Sequence, residues 1–153
     1  MTQQQALASA FPAGTKVARQ THFLTPAQRD AARKEAGFEF GDQLVVRYAG
    51  MNGDRVVGYA YFDTHRVRTL PETVMVVVTP DGKVDRIDIL SFDEPPDYLP
   101  KQRWLEQFDG RKLDDDLSLK RAIRPISGAS LSGRAIVNAS RKVLALHRII
   151  GVK

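Results

Sequence analysis

The sequence predicts an α+β fold in which four to five antiparallel strands form a sheet, helices pack on that sheet, and a long helix lies at the C-terminal end. Three observations predict it. Two pairs of β-rich segments, within residues 43–62 and 72–92, are each divided by a short turn that contains Gly and Asp. Apolar residues recur at helical spacing after Arg134. The length of 153 residues suits one domain, so residues 1–153 are expected to form a single unit.

The N-terminal part is expected to contain two helices and one strand. Residues 3–11 can form a short helix, and residues 15–23 have the two-residue alternation of a strand. A second helix begins after Thr25, because Thr caps helices and the following Pro26 suits a first helical turn. This helix is expected to end at Gly37.

Two hairpins follow. The first joins a strand over residues 43–49 to a return strand over residues 55–62, and the second joins residues 72–79 to residues 83–92. Residues 74–78 are Val-Met-Val-Val-Val, which is apolar in every position. Such a run is typical of a central strand that is covered on both faces.

The pattern changes after the last predicted strand. Residues 93–100 include three prolines, so no regular structure is expected there, and a helix is expected over residues 101–108. The long C-terminal helix has an apolar face formed by Ile136, Ala139, Val143, Leu146 and Ile150. Its opposite face is expected to carry Arg134, Asn138, Arg141, Lys142 and Arg148.

Composition excludes several kinds of site. The chain has no Cys, so it has neither a disulfide framework nor a thiolate metal site. His22, His65 and His147 fall in unrelated elements, and no metal site is expected. No window approaches the roughly 20 apolar residues of a membrane span. The net charge of +5 is mild, and no nucleic-acid-binding motif accompanies it.

The segment from Arg124 to Arg134 is the most distinctive part of the sequence. It reads Arg-Pro-Ile-Ser-Gly-Ala-Ser-Leu-Ser-Gly-Arg and runs directly into the long helix. A Ser/Gly/Ala turn at a helix N-terminus offers unpaired N–H groups, hydroxyl donors and the positive end of the helix dipole, which together favour a phosphate. The alternative is that Ser127 or Ser130 only caps the helix.

The hexapeptide Ser127-Gly128-Ala129-Ser130-Leu131-Ser132 resembles the S/T-G-A-T-x-S/T signature of the FMN-binding domain family. That family includes the flavoprotein subunits of the Rnf and sodium-pumping NADH:quinone reductase complexes. The resemblance implies that FMN binds at this turn and that the hydroxyl of Ser130 is the candidate for a phosphoester bond made by a flavin transferase. The sequence departs from the signature at Ser130, where Thr is usual, and at Arg124, where Asp is usual. Arg124 can instead pair with the phosphate of a non-covalent FMN.

A second segment carries the same resemblance, which spans roughly residues 55–145. It comprises the Glu94-Pro95-Pro96 loop, an aromatic-bearing helix with Trp104, and the Phe-Asp-Gly-Arg-Lys stretch that ends at Lys112. Tyr98 and Trp104 suit a planar flavin ring, although Trp104 is equally suited to the core. Glu94 either bonds the polar edge of the flavin or organises its loop, and Lys112 either lies near the flavin or is solvated.

The resemblance implies an electron-transfer flavoprotein or subunit with FMN as cofactor. It would relay electrons in an extracytoplasmic or membrane-associated redox chain, with a redox protein or membrane complex as partner. A periplasmic or extracytoplasmic location is expected, with the leader absent from this sequence; a cytoplasmic location is the alternative. FMN is preferred to FAD because no dinucleotide fingerprint is present. No acid/base constellation indicates catalytic residues. The alternatives are a flavin-free structural or interaction module with this fold, and a flavin-dependent reductase with its own small substrate.

Overall fold

A computed structural model describes residues 1–151, and it confirms the α+β prediction. Five strands form one antiparallel sheet in the order β1-β2-β3-β4-β5. The strands are β1 (Lys16–Phe23), β2 (Leu44–Asn52), β3 (Arg55–Arg66), β4 (Pro71–Val78) and β5 (Val84–Phe92). The helices are α1 (Gln3–Ala10), α2 (Pro26–Ala36), α3 (Gln102–Leu105) and α4 (Ser130–Ile150), and single 3₁₀ turns lie at Pro96–Tyr98 and Glu106–Phe108.

Local sequence signals explain most of these boundaries. Thr25 and Gln28 form a reciprocal capping box at the start of α2, and Gly37 ends that helix in the left-handed conformation at φ 86°. Gly53 turns the first hairpin at φ 64°. Strand β3 extends to Arg66, beyond the predicted end at residue 62, because its last residues pair with the beginning of β4.

Helices cover the two faces of the sheet unequally. The long helix α4 packs on one face and α2 packs against α4; the core there includes the fully buried Ile136 and Phe108. The short helix α1 packs on the other face, over Ala60 and Met75. Residues 74–78 of β4 are buried on both faces, as the apolar run predicted.

Three expectations need correction. The segment 93–100 contains a 3₁₀ turn, and the helix predicted over residues 101–108 is α-helical only to Leu105. Helix α4 begins at Ser130, four residues before Arg134, so the last part of the serine-rich segment is helical. The sequence pattern sets Arg141 and Lys142 apart from the apolar face, but neither residue is exposed. Arg141 is half-buried and donates to four main-chain carbonyls, and Lys142, whose side chain is 12% exposed, pairs with carboxylates.

Within residues 1–151, no helix combines the length and the apolar character that crossing a bilayer requires.

Candidate functional site

The first turn of α4 presents unpaired backbone donors. Ala129 is the N-cap residue, and no side chain caps the helix. The N–H of Gly133 makes the first helical bond, to the carbonyl of Ala129 at 3.2 Å, whereas the N–H groups of Ser130, Leu131 and Ser132 come before this first intrahelical donor and have no helical acceptor. The alternative that Ser127 or Ser130 caps the helix is therefore wrong. The uncapped turn leaves a place for an anion.

Gly128 turns the chain into this helix. Its φ is 75°, a conformation that favours glycine, and the N–H of Ala129 closes the turn on the carbonyl of Ile126 at 3.1 Å. A Cβ at Gly128 would meet nothing within 4 Å, so the backbone conformation, and not close packing, requires the glycine.

A cavity of about 190 Å³ opens at this turn. Its lining brings together three parts of the chain: the helix start at 128–132, Tyr98 of the proline loop, and Arg68 of the loop between β3 and β4. The guanidinium carbon of Arg68 lies 5.8 Å from the centroid of the Tyr98 ring. The site thus combines amide donors, hydroxyls and a cation with an aromatic face.

Glu94 organises the loop that carries Arg68. Its Oε2 accepts hydrogen bonds from the N–H groups of Arg68, Thr69 and Leu70 at 2.9, 3.0 and 3.2 Å. These bonds hold the pKa of the Glu94 carboxyl below its usual range despite burial, and the bond from Thr69 has the largest effect. Glu94 is 7% exposed, and of its two predicted roles the structure shows the loop-organising one.

The proline loop presents Tyr98 to the cavity. The N–H of Tyr98 donates to the carbonyl of Pro95 at 3.0 Å, which closes the 3₁₀ turn over Pro96–Tyr98. Pro95 precedes this turn and is exposed. The prolines restrict the turn's backbone and so limit the positions open to the Tyr98 ring.

The model of one protein family, the FMN-binding domain, matches residues 70–145, from the end of the β3–β4 loop to within α4. This chain belongs to the FMN-binding domain family. No curated protein matches the chain. FMN is the cofactor of this domain. The donors at the α4 turn fit its phosphate, because amide N–H groups and Arg both bind phosphate oxygens.

The aromatic helix of this FMN-binding domain lies beneath the site and outside the cavity. Trp104 stacks edge-on against Phe108, with 5.4 Å between the ring centroids, and its ring limits the space at Gly133, where a Cβ would lie 3.4 Å from it. The indole N–H of Trp104 donates to the carbonyl of Arg124 at 2.6 Å. Trp104 therefore supports the start of α4 from the core side.

Arg124 contributes its backbone to the structure of the turn. Its N–H donates to Oε1 of Gln107 at 2.8 Å, and its side chain is exposed and does not line the cavity. Ser127 is also exposed and lies just outside the lining residues.

Lys112 is not brought to the serine turn. The carbonyl of the next residue, Leu113, accepts a hydrogen bond from Arg148 near the other end of α4. Arg148 follows Ser130 by 18 residues, a rise of about 27 Å along a helix. The structure thus separates Lys112 from the site that contains Tyr98.

Sequence reasoning missed Arg68, the only cationic side chain among the described residues that line this cavity. It also missed Leu70 and Leu99, which are each 42% exposed and closely follow lining residues in the chain. Leu131, a predicted residue of the serine turn, lines the cavity and is 45% exposed. Arg68 belongs to a loop with no periodicity and no motif. Only its basic charge between two strands was visible, and that signal is common on any surface.

Ser130 also borders a larger cavity of about 620 Å³, which extends between α2, α4 and residues 115–125. Arg141 crosses one side of this cavity, and donates to the carbonyl of Ala36 at 2.6 Å and to that of Asp114 at 2.7 Å. Across the described residues, no group of three or more His, Cys, Asp or Glu side chains could hold a metal ion.

Proposed function

We propose that this chain holds the phosphate of FMN at the first turn of α4 and relays electrons through the flavin in an extracytoplasmic or membrane-associated redox chain. The observation that carries the proposal is the meeting of three unpaired amides, the Arg68 side chain and the Tyr98 ring at one cavity.

The phosphate position follows from charge and donors. The N–H groups at residues 130–132 lie at the positive end of a helix of 21 residues, and Arg68 adds a full positive charge. Among the described residues that line the cavity there is no carboxylate side chain to oppose an anion. A phosphate at this turn also places the hydroxyl of Ser130 beside phosphorus, as covalent attachment requires.

The position of the flavin ring follows from the size of the cavity and the polarity of its lining. A cavity of about 190 Å³ is smaller than a typical ligand pocket of roughly 300–1,000 Å³, so it takes the phosphate end of FMN and leaves the ring at its mouth. Tyr98 offers an aromatic face there, and Leu131 offers exposed apolar surface. We place the flavin ring on this side of Ser130 and not in the larger cavity near Arg141.

The residues at the site suit electron relay better than substrate chemistry. When bound, FMN supplies the redox chemistry, and the protein supplies binding and orientation. The described lining contains no His, Lys, Asp or Glu that would act as general acid or base near neutral pH. Exposed arginines near the site, including Arg66 and Arg134, favour an acidic redox protein or membrane complex as partner.

The experiment is to purify the chain with its flavin and to measure three things. The released flavin should be FMN, and FAD as the dominant flavin would contradict the site assignment. The bound flavin should accept electrons from a chemical reductant and pass them to an added one-electron acceptor. The isolated protein should show no steady turnover of NAD(P)H, since such turnover would favour a reductase with its own small substrate.

A further inference from the structure

We infer that Glu94 acts as a positioning residue that makes the site prefer phosphorylated flavin, because it fixes the loop that holds Arg68 at the cavity. The inference rests on the proposed function. It differs from a flavin-contact role for Glu94, which the geometry does not support, since Oε2 of Glu94 is occupied by three backbone donors.

Hydrogen bonds hold the loop between β3 and β4 in place. Residues 67–70 join β3 to β4, and the N–H of Val67 donates to the carbonyl of Leu70 at 3.1 Å. Arg66 donates to the carbonyl of Thr69 at 2.8 Å. The N–H groups of residues 68, 69 and 70 all converge on one oxygen of Glu94. A carboxylate that accepts several amide bonds forms charge-assisted hydrogen bonds, which are stronger than neutral ones.

This loop positions the side chain of Arg68. Arg68 is exposed, and its guanidinium carbon lies 5.8 Å from the centroid of the Tyr98 ring at the cavity. Arginine has a large side-chain entropy, so a fixed backbone is the main means of keeping its guanidinium near the amides of α4. Glu94 supplies that fixed backbone. It lies directly before Pro95, in the same segment that presents Tyr98, and one acidic residue therefore couples the two walls of the cavity.

The consequence is a selectivity that can be measured. A phosphate monoester gains from Arg68, whereas riboflavin, which has the same ring and ribityl chain but no phosphate, does not. Loss of Arg68, or loss of its positioning, should reduce FMN affinity and leave riboflavin affinity unchanged.

The test measures dissociation constants for FMN and riboflavin by quenching of flavin fluorescence. It uses the full chain with Ser130→Ala in every variant, so that binding is non-covalent. Arg68→Met should weaken FMN about tenfold, which corresponds to one charge-assisted bond, and change riboflavin by less than about twofold. Glu94→Gln should weaken FMN at least about threefold with the same selectivity. In the Arg68→Met background, Glu94→Gln should have no further effect on the FMN-to-riboflavin ratio.

Every other outcome contradicts a specific part of the proposal. If Arg68→Met is selective but Glu94→Gln is not, the positioning role is wrong and the proposed site stands. If Glu94→Gln weakens both flavins equally and lowers the melting temperature, Glu94 is only structural. If the parent shows no preference for FMN over riboflavin, the phosphate site itself is wrong. Should Glu94→Gln fail to fold, Glu94→Asp, which keeps the charge on a shorter side chain, should show the same selective loss; equal loss for both flavins would overturn the role.

Discussion

The Nζ atom of Lys142 lies 2.5 Å from Oδ1 of Asp63, and this ion pair joins the middle of α4 to β3. Both side chains are largely buried. His65 extends the cluster, with its ring nitrogens 2.8 Å from Oδ2 of Asp63 and 2.5 Å from Oε1 of the fully buried Glu72. Lys142 also contacts Asp42 at 3.1 Å. The helix that carries the proposed FMN site is thus held to the sheet by charges as well as by apolar packing.

Removal of Lys142 should destabilise the fold strongly. Lys142→Met removes the lysine partner of the buried Asp63 carboxylate, which keeps only His65, and breaking a buried ion pair costs up to about 3–5 kcal/mol. The measurement is urea unfolding at pH 7. Lys34→Met is the matched control, because Lys34 is exposed on α2 and its removal should change the free energy of unfolding by less than about 0.5 kcal/mol. Equal effects of the two variants would contradict the network.

The free energy of unfolding should decline at alkaline pH because His65 loses its proton. Burial works against the charged ring, but hydrogen bonds to Asp63 and Glu72 outweigh burial and raise the pKa of His65 to about 9. A raised folded-state pKa gives stability that is complete below the unfolded value near 6.5 and is lost as pH rises to about 9. The free energy of unfolding should therefore fall across this window, by about 3 kcal/mol at most.

His65→Gln isolates that contribution. The stability difference between the parent and the variant should be largest near pH 6 and shrink by pH 9.5; a constant difference would rule out the titration of His65. His147 titrates in a different, acidic pH range. Burial, aided by the charge of Arg47, lowers its pKa to about 4, so its contribution is lost below pH 6.5 and does not overlap the alkaline window.

Replacement of Tyr98 by Ala and replacement of Trp104 by Ala should have different effects. Tyr98→Ala removes a ring at the cavity, so flavin retention should fall about three- to tenfold and the flavin absorbance should shift, with little change in melting temperature. Trp104→Ala removes support beneath α4 and should lower the free energy of unfolding by about 2–4 kcal/mol. Tyr98→Phe keeps the ring and should retain flavin. Full retention by Tyr98→Ala would place the ring elsewhere, with the larger cavity next to test.

Ser130 should be the point of covalent attachment if the ester forms in this chain. Ser130→Ala should then abolish the mass increment of one FMN on the denatured chain, and Ser130→Thr should keep it, since Thr retains the oxygen. Intact mass after denaturation is the measurement. Ser127→Ala and Ser132→Ala serve as controls that should retain the increment; persistence of the increment in Ser130→Ala would make one of these serines the acceptor.

Arg124 provides a separate test of the attachment step. Its side chain is exposed and has the opposite charge to the Asp usual in the family. In a host that has the flavin transferase, a parent without covalent flavin should gain it on Arg124→Asp if the Arg had disabled attachment. No gain would show that the residue at this position does not control the reaction.

Gly50 should not tolerate a side chain. A Cβ at this position would lie 2.8–2.9 Å from three ring carbons of Phe11, which packs on the sheet after α1. Gly50→Ala should cost about 1–3 kcal/mol in unfolding free energy. Gly41→Ala is the control, because nothing lies within 4 Å of a Cβ there. Phe11→Leu should relieve part of the cost in the double variant, and strictly additive losses would contradict the contact.

Much of the fold was predictable because its signals are local. Thr25 and Gly37 bound α2 through interactions with their own neighbours in the chain. The apolar run at residues 74–78 marks a central strand whatever its partners are. The serine turn was visible for the same reason: its residue types lie together, and the Ser-Gly-Ala-Ser pattern, with the segment from Glu94 to Lys112, indicated the family and its cofactor.

Only the tertiary structure decided what surrounds that turn. Arg68 reaches the cavity because β3, β4 and Glu94 place its loop there, and no pattern within a few residues of Arg68 encodes this. Lys142 lies on the polar side of α4 in the sequence pattern, yet it is buried because β3 supplies Asp63 opposite it. Helical periodicity reports how one element divides apolar from polar residues. It does not report which charges another element brings to the polar side, because such contacts join residues far apart in the chain.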